Sequence, residues 1–250
     1  MIFSCVVLAL AGFAAGAQNA VAGGGSFLTF PALLFVGLDP RAANITSTIA
    51  LFPGQATTGW TGRRMAGGAA GLSLRTLFVV SVIGGAIGAV LLLATPVSIF
   101  THLVPWLILF ATLVFVWGSF FRKQRQEENE PAPLPPRVAV GLQFLIAVYG
   151  GYFGGGIGIL MMAALTAVGL SVRHAGATKN VLAGVVNVAA VAIFLARSPQ
   201  NWTLVLVLGI AAIIGGQVGV LILRYVPETV LRVVVSLIGA VLTVGMFLKA

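Results

Sequence analysis

Carboxylates are scarce in this chain: Asp39, Glu127, Glu128, Glu130 and Glu228 are the only five among 250 residues. All sit in or beside expected loops, so no acid lies within an apolar run to ligate a proton or sodium ion. The single cysteine, Cys5, excludes a disulfide framework within the chain and any multi-cysteine metal site. His102 and His174 fall near segment ends, where an interfacial role suits them best. The chain has no Gly-x-Ser-x-Gly, no His-Glu-x-x-His, and no His or Cys group at ligand spacing. Without a nucleophile and base, paired acids or a metal cluster, it reads as a non-enzyme that needs no cofactor or metal.

Charge of either sign is also rare. Charged residues make up 8% of the chain and hydrophobic residues 59%, with a mean hydropathy of +1.10. A soluble domain carries roughly a quarter charged residues. What fills the chain is a series of ten apolar stretches, at 1–22, 25–38, 41–62, 73–95, 98–120, 137–153, 157–170, 173–196, 201–224 and 227–249. Their length and lack of strand alternation predict helices, hence an all-α, polytopic protein of the lipid bilayer. The 32 glycines suit close helix approach in lipid. The second and seventh stretches are short for a full crossing and are expected as half-helices or re-entrant segments. Ala15-Gly16-Ala17 resembles a signal cleavage site, but no cation precedes the first run, so residues 1–20 read as a membrane segment.

The chain is internally duplicated. Shifting residues 23–48 by 132 places Gly23, Gly24, Leu28, Leu33 and Val36 on Gly155, Gly156, Leu160, Leu165 and Val168. Gly37, Leu38, Arg41, Ala43 and Thr46 likewise fall on Gly169, Leu170, Arg173, Ala175 and Thr178. With a shift of 131, Gly84, Gly85, Gly88, Leu92 and Pro96 fall on Gly215, Gly216, Gly219, Leu223 and Pro227. The expected organisation is a membrane repeat over 1–120, a hydrophilic linker over 121–136 and a second repeat over 137–250.

The formal charge of +9 raises nucleic acid as a partner, but the cations stand singly between apolar runs, where membrane orientation explains them better. If all ten stretches cross, Arg63, Arg64, Arg75, Arg122, Lys123, Arg125, Arg137, Arg173, Arg224 and Arg232 share one face. Only Arg41, Arg197 and Lys249 reach the other. The first face is then cytoplasmic, both termini are outside, and five segments per repeat invert the second copy. If the short stretches dip in and return, the repeats become parallel and the termini move inside; the charge count favours inversion.

Gly23-Gly24-Gly25 precedes Ser26, and Gly154-Gly155-Gly156 occupies the matching place in the second half. Glycines there allow a sharp turn, and the helix that follows presents free N–H groups and partial positive charge. Two such ends at the midplane would bind an anion without a charged side chain, whereas the competing reading makes the glycines packing residues. Asn44, Thr48 and Gln55 form one helical stripe, copied as Gly176, Asn180, Gly184 and Asn187. Such a stripe lines a path for a polar solute or bonds helices together. Lys179 stands where the first repeat has Ser47 and has no intramembrane acid to neutralise it. Either it snorkels to the interface or it meets an anionic substrate.

These motifs carry a resemblance. Gly23-Gly24-Gly25, Pro31, Gly37-Leu38, Ala43 and Thr46-Ser47, repeated as Gly154-Gly155-Gly156, Gly169-Leu170 and Thr178, resemble the sulfite exporter TauE/SafE family. The resemblance spans nearly the whole chain and implies a permease in the inner (plasma) membrane for anions such as sulfite, sulfonates or sulfoacetate. It departs at Ala163, where a proline is expected, and at Lys179-Asn180, where Ser47-Thr48 is the first-half pair. Candidate substrate residues are Gly23, Gly24, Gly25, Ser26, Asn44, Thr48, Gln55, Gly155, Gly156, Lys179, Asn180 and Asn187. The alternative is an anion-selective channel using the same helix dipoles. Partners are a small anion and the bilayer, with no nucleic acid; a homo-oligomer is compatible with the composition.

Overall fold

The computed structural model describes residues 2–21, 24–117, 135–222 and 228–248. Among them the chain is all-helical: α1 (Ile2–Val21), α2 (Ser26–Phe35), α3 (Pro40–Gly62), α4 (Leu74–Ala94), α5 (Val97–Val116), α6 (Pro136–Tyr152), α7 (Ile157–Ala167), α8 (Val172–Arg197), α9 (Trp202–Ile222) and α10 (Glu228–Phe247). Each apolar stretch holds one helix. Among the described residues, α1, α4, α5 and α8 contain windows long and apolar enough to cross a membrane, while α2, α7 and parts of α9 and α10 are shorter apolar helices. Most of the linker lies outside the described residues, as do Gly23, Arg224 and Lys249.

The short segments are half-helices. With 10 and 11 residues, α2 and α7 reach about 15 and 17 Å at 1.5 Å per residue, against a hydrocarbon core of roughly 30 Å. Both end in the same way. Gly37 and Gly169 adopt φ of +96° and +94°, and the amides of Leu38 and Leu170 return to the carbonyls of Leu33 and Leu165, each at 3.1 Å. This is the six-to-one bond of a Schellman stop, which needs a left-handed residue. Helices α3, α4 and α8 begin on side-chain caps. Asp39 accepts from the amides of Arg41 and Ala42 ahead of α3, with Pro40 in the first turn. Ser73 accepts from Thr76 ahead of α4.

Packing follows the duplication. The pairs α1 with α9, α3 with α9, α1 with α2 and α2 with α10 have counterparts in α6 with α4, α8 with α4, α6 with α7 and α7 with α5. Each follows when every helix is exchanged for its copy. The heaviest contacts are small-residue crossings: Gly12 lies on Leu208 and Gly16 on Ala212, so α1 and α9 run in the same sense. Gly84 against Ala147 and Gly88 against Gly151 give α4 and α6 the same relation. These crossings bring backbones together where lipid supplies no hydrophobic drive.

Two helices pack directly on their own copies, and both pairs run in opposite senses. Gly59 of α3 meets Asn180 of α8, and Gly62 meets Ala177. On the other side Trp106 of α5 stacks edge-on to Phe247 of α10 at 5.0 Å, while Thr112 faces Gly239. The larger buried core joins α1, α2, α3, α5, α8 and α9 through residues such as Leu8, Leu33, Leu51, Ile108, Phe194 and Leu208. A second core gathers Leu77, Ala147, Met161 and Leu182.

Candidate functional site

Ahead of α2, Gly24 takes φ +86°, and the Gly25 amide donates to Asn19 Oδ1 at 2.7 Å. Ahead of α7, Gly154 and Gly156 take φ of +78° and +76°, and the Tyr149 hydroxyl donates to the Gly155 carbonyl at 2.7 Å. The two glycine turns meet against α5. A side chain begun at Gly156 would lie 3.4 Å from Ala111, and one begun at Gly24 would lie 3.8 Å from the Phe115 ring, one helical turn away. Two half-helix N-termini from opposite repeats are therefore brought to one level of the bundle.

Between them is a narrow cavity of about 10 Å³, lined by Ser26, Phe27, Phe30, Pro31, Asn44, Ile108, Phe153, Gly155 and Leu242. That is room for about one water molecule. Its wall is almost wholly apolar, and Ser26, Asn44 and Gly155 are the lining residues that carry polar groups nearby. Phe30 packs edge-on against Phe153 at 5.8 Å, so an aromatic wall spans the two repeats. Asn44 Nδ2 donates to the Tyr152 carbonyl at 3.0 Å, tying α3 to the end of α6.

Lys179 stands at the first turn of α7. Its Nζ is 3.8 Å, and its Cδ 3.6 Å, from where a Gly158 side chain would begin. Among the described residues the ammonium has no hydrogen-bond or ion-pair partner. The corresponding place in the first repeat is closed differently: the hydroxyls of Thr29 and Ser47 share a hydrogen bond of 2.6 Å. Their counterparts at the shift of 132 are Met161 and Lys179, which make no such bond.

Of the residues expected from the sequence, Ser26, Asn44 and Gly155 line the cavity, and Gly24, Gly25 and Gly156 form the turns beside it. Thr48, Gln55, Lys179, Asn180 and Asn187 do not line it, and Gly23 lies outside the described residues. Thr48 gives its hydroxyl to the Asn44 carbonyl at 2.9 Å. Gln55 Oε1 accepts from Asn187 Nδ2, so this amide pair bonds α3 to α8. Because Gln55 and Asn187 are copies of each other, that bond marks where the two repeats meet face to face. Asn180 presents its backbone carbonyl to Gly59. The apolar lining was not anticipated. Phe153 carries a positional signal, since it adjoins the second glycine triplet, but Ile108 and Leu242 carry no polar signal.

Residues 8–246 match the family model described as sulfite exporter TauE/SafE. The chain is similar to a probable membrane transporter protein of Haemophilus influenzae, 28% identical over 96% of this chain and 93% of that one. It is also similar to a probable membrane transporter protein of a Sinorhizobium species, 30% identical over 85% of this chain and 80% of that one. The probable membrane transporter protein YfcA of Escherichia coli K12 is 24% identical over 95% of this chain and 87% of that one. No solved structure matches the chain. The family match over nearly the full length places this chain in the sulfite exporter TauE/SafE family of membrane transporters.

Proposed function

We propose that this protein is a secondary transporter of the inner (plasma) membrane that moves small sulfur-containing or related organic anions, such as sulfite, sulfonates or sulfoacetate. The convergence of the α2 and α7 N-termini on one cavity carries the reading. Both ends turn the partial positive charge of a helix start toward the same space, while the Gly25, Phe27, Leu28 and Ile157 amides bond within the turns. Lys179 adds to the first turn of α7 a cation without a partner among the described residues. The acid group sits at Ser26, Asn44 and the Gly155 backbone, and Phe27, Phe30, Phe153, Ile108 and Leu242 receive the carbon body. A sulfonate is larger than one water molecule, so the repeats must part to admit it, as in a carrier that opens to one side at a time.

The repeats are inverted in this reading. The opposite senses of the paired copies, α3 with α8 and α5 with α10, support it. A two-fold axis that turns a helix into an antiparallel neighbour lies across the helices, hence in the membrane plane. The multi-pass chain then has Arg63, Arg64, Arg75, Arg137 and Arg173 on the cytoplasmic side. Export of an anion is favoured by about 2.3 kcal/mol per charge per 100 mV of negative-inside potential. It needs no intramembrane carboxylate to carry a coupling ion. The test is a calorimetric screen of purified protein against sulfite, methanesulfonate, sulfoacetate and acetate. Saturable binding of at least one sulfur anion is expected; no binding of any would overturn the reading.

A further inference from the structure

Among the described residues, one buried side-chain polar atom has no hydrogen-bond partner: Thr112 Oγ1 on α5. A helical threonine ordinarily returns its hydroxyl to a carbonyl one turn back. Thr29, Thr48, Thr58, Thr101 and Thr243 do so here. Thr243 is the copy of Thr112 at the shift of 131, and it donates to the Gly239 carbonyl at 2.8 Å. Thr112 is only 7% exposed, so water does not supply the missing bond. A buried donor without a partner is costly in an apolar interior, and in a native protein it calls for an explanation.

Its position supplies one. Ile108, Thr112 and Phe115 follow at intervals of four and three and so share a face of α5. Ile108 lines the cavity, and Phe115 backs the Gly24 turn while Ala111 backs the Gly156 turn. Thr112 thus stands at the level of both half-helix starts. Opposite it, Gly239 leaves only just enough room: a side chain there would meet the Thr112 hydroxyl first and would begin 2.9 Å from Cγ2. Leu242, one turn along α10, closes the cavity against Ile108. The hydroxyl therefore faces Gly239 at the α5–α10 contact, the seam between two copied helices.

We propose that Thr112 is a substrate-contacting residue, its hydroxyl donating to an acid oxygen of the anion when α5 and α10 part at Gly239 and Leu242. This rests on the anion-transport reading above. The experiment compares wild type, Thr112→Val, Thr112→Ser and Thr243→Val, measuring calorimetric affinity for sulfoacetate and methanesulfonate together with thermal melting. Thr112→Val keeps the shape and is expected to lose at least tenfold in affinity with melting unchanged or higher. Thr112→Ser should stay within about twofold of wild type, and Thr243→Val should bind normally. Wild-type affinity in Thr112→Val would overturn the assignment alone. A lower melting temperature accompanying the loss would make Thr112 a packing residue and also overturn it. Failure of wild type to bind either probe overturns both this assignment and the transport reading.

Discussion

Replacing Lys179 with methionine isolates the charge at the start of α7. The side-chain length is kept and the ammonium removed. Lys179 lies six residues beyond Arg173, about 9 Å along α8 at 1.5 Å per residue, and its Nζ lies 3.8 Å from the position a Gly158 side chain would take. An anion held about 4 Å from that ammonium gains roughly 4 kcal/mol at an effective dielectric of 20. Stripping water from both ions offsets much of this. A net of about 1.4 kcal/mol remains, a tenfold factor in affinity. The empty protein should not suffer, because a lysine within a membrane helix costs about 2.5–3.5 kcal/mol at the helix centre when uncompensated. Titrating sulfoacetate into wild type, Lys179→Met and Lys179→Arg by calorimetry, with melting curves beside each, reads both effects. The methionine variant should lose at least tenfold and melt no lower than wild type, with arginine intermediate. Equal affinity in the methionine variant refutes the reasoning and leaves Lys179 snorkelling to the interface.

Valine at Gly24 or Gly156 should abolish flux while the protein still inserts and elutes as one species, because φ of +86° and +76° strains a β-branched residue and the side chain fills the turn; normal flux in both variants would leave these glycines as packing residues. A double-mutant cycle with Gln55→Leu and Asn187→Leu should return a stabilising coupling of about 0.6 kcal/mol, and at most about 1.7, with zero coupling contradicting a bond between the copies. In a Cys5→Ser background, a membrane-impermeant maleimide applied outside should label Asn201→Cys and miss Met65→Cys; the reverse pattern contradicts the assigned orientation.

The helices were legible because apolar runs need only be counted, and the half-helix stops were legible because Gly37-Leu38 recurs as Gly169-Leu170. The duplication likewise named Gln55 and Asn187 as copies. It did not say that they touch, since contact depends on how α3 and α8 pack in the bundle. Asn44 was expected on a polar stripe, but its partner is the Tyr152 carbonyl, a backbone atom that side-chain patterns do not announce. Ile108 and Leu242 escaped notice because an apolar residue lining a cavity looks the same in sequence as one facing lipid. Thr112 escaped for a related reason: a threonine is noteworthy only once its hydroxyl is seen to lack a partner.

Solute counterflow tests the central claim most directly. Proteoliposomes loaded with unlabelled sulfoacetate and diluted into a trace of labelled sulfoacetate should accumulate label transiently, with saturation and with loss of the overshoot in Gly156→Val. A carrier whose site opens to one side at a time produces that overshoot. Absent uptake, or uptake that never saturates and never overshoots, would contradict the account.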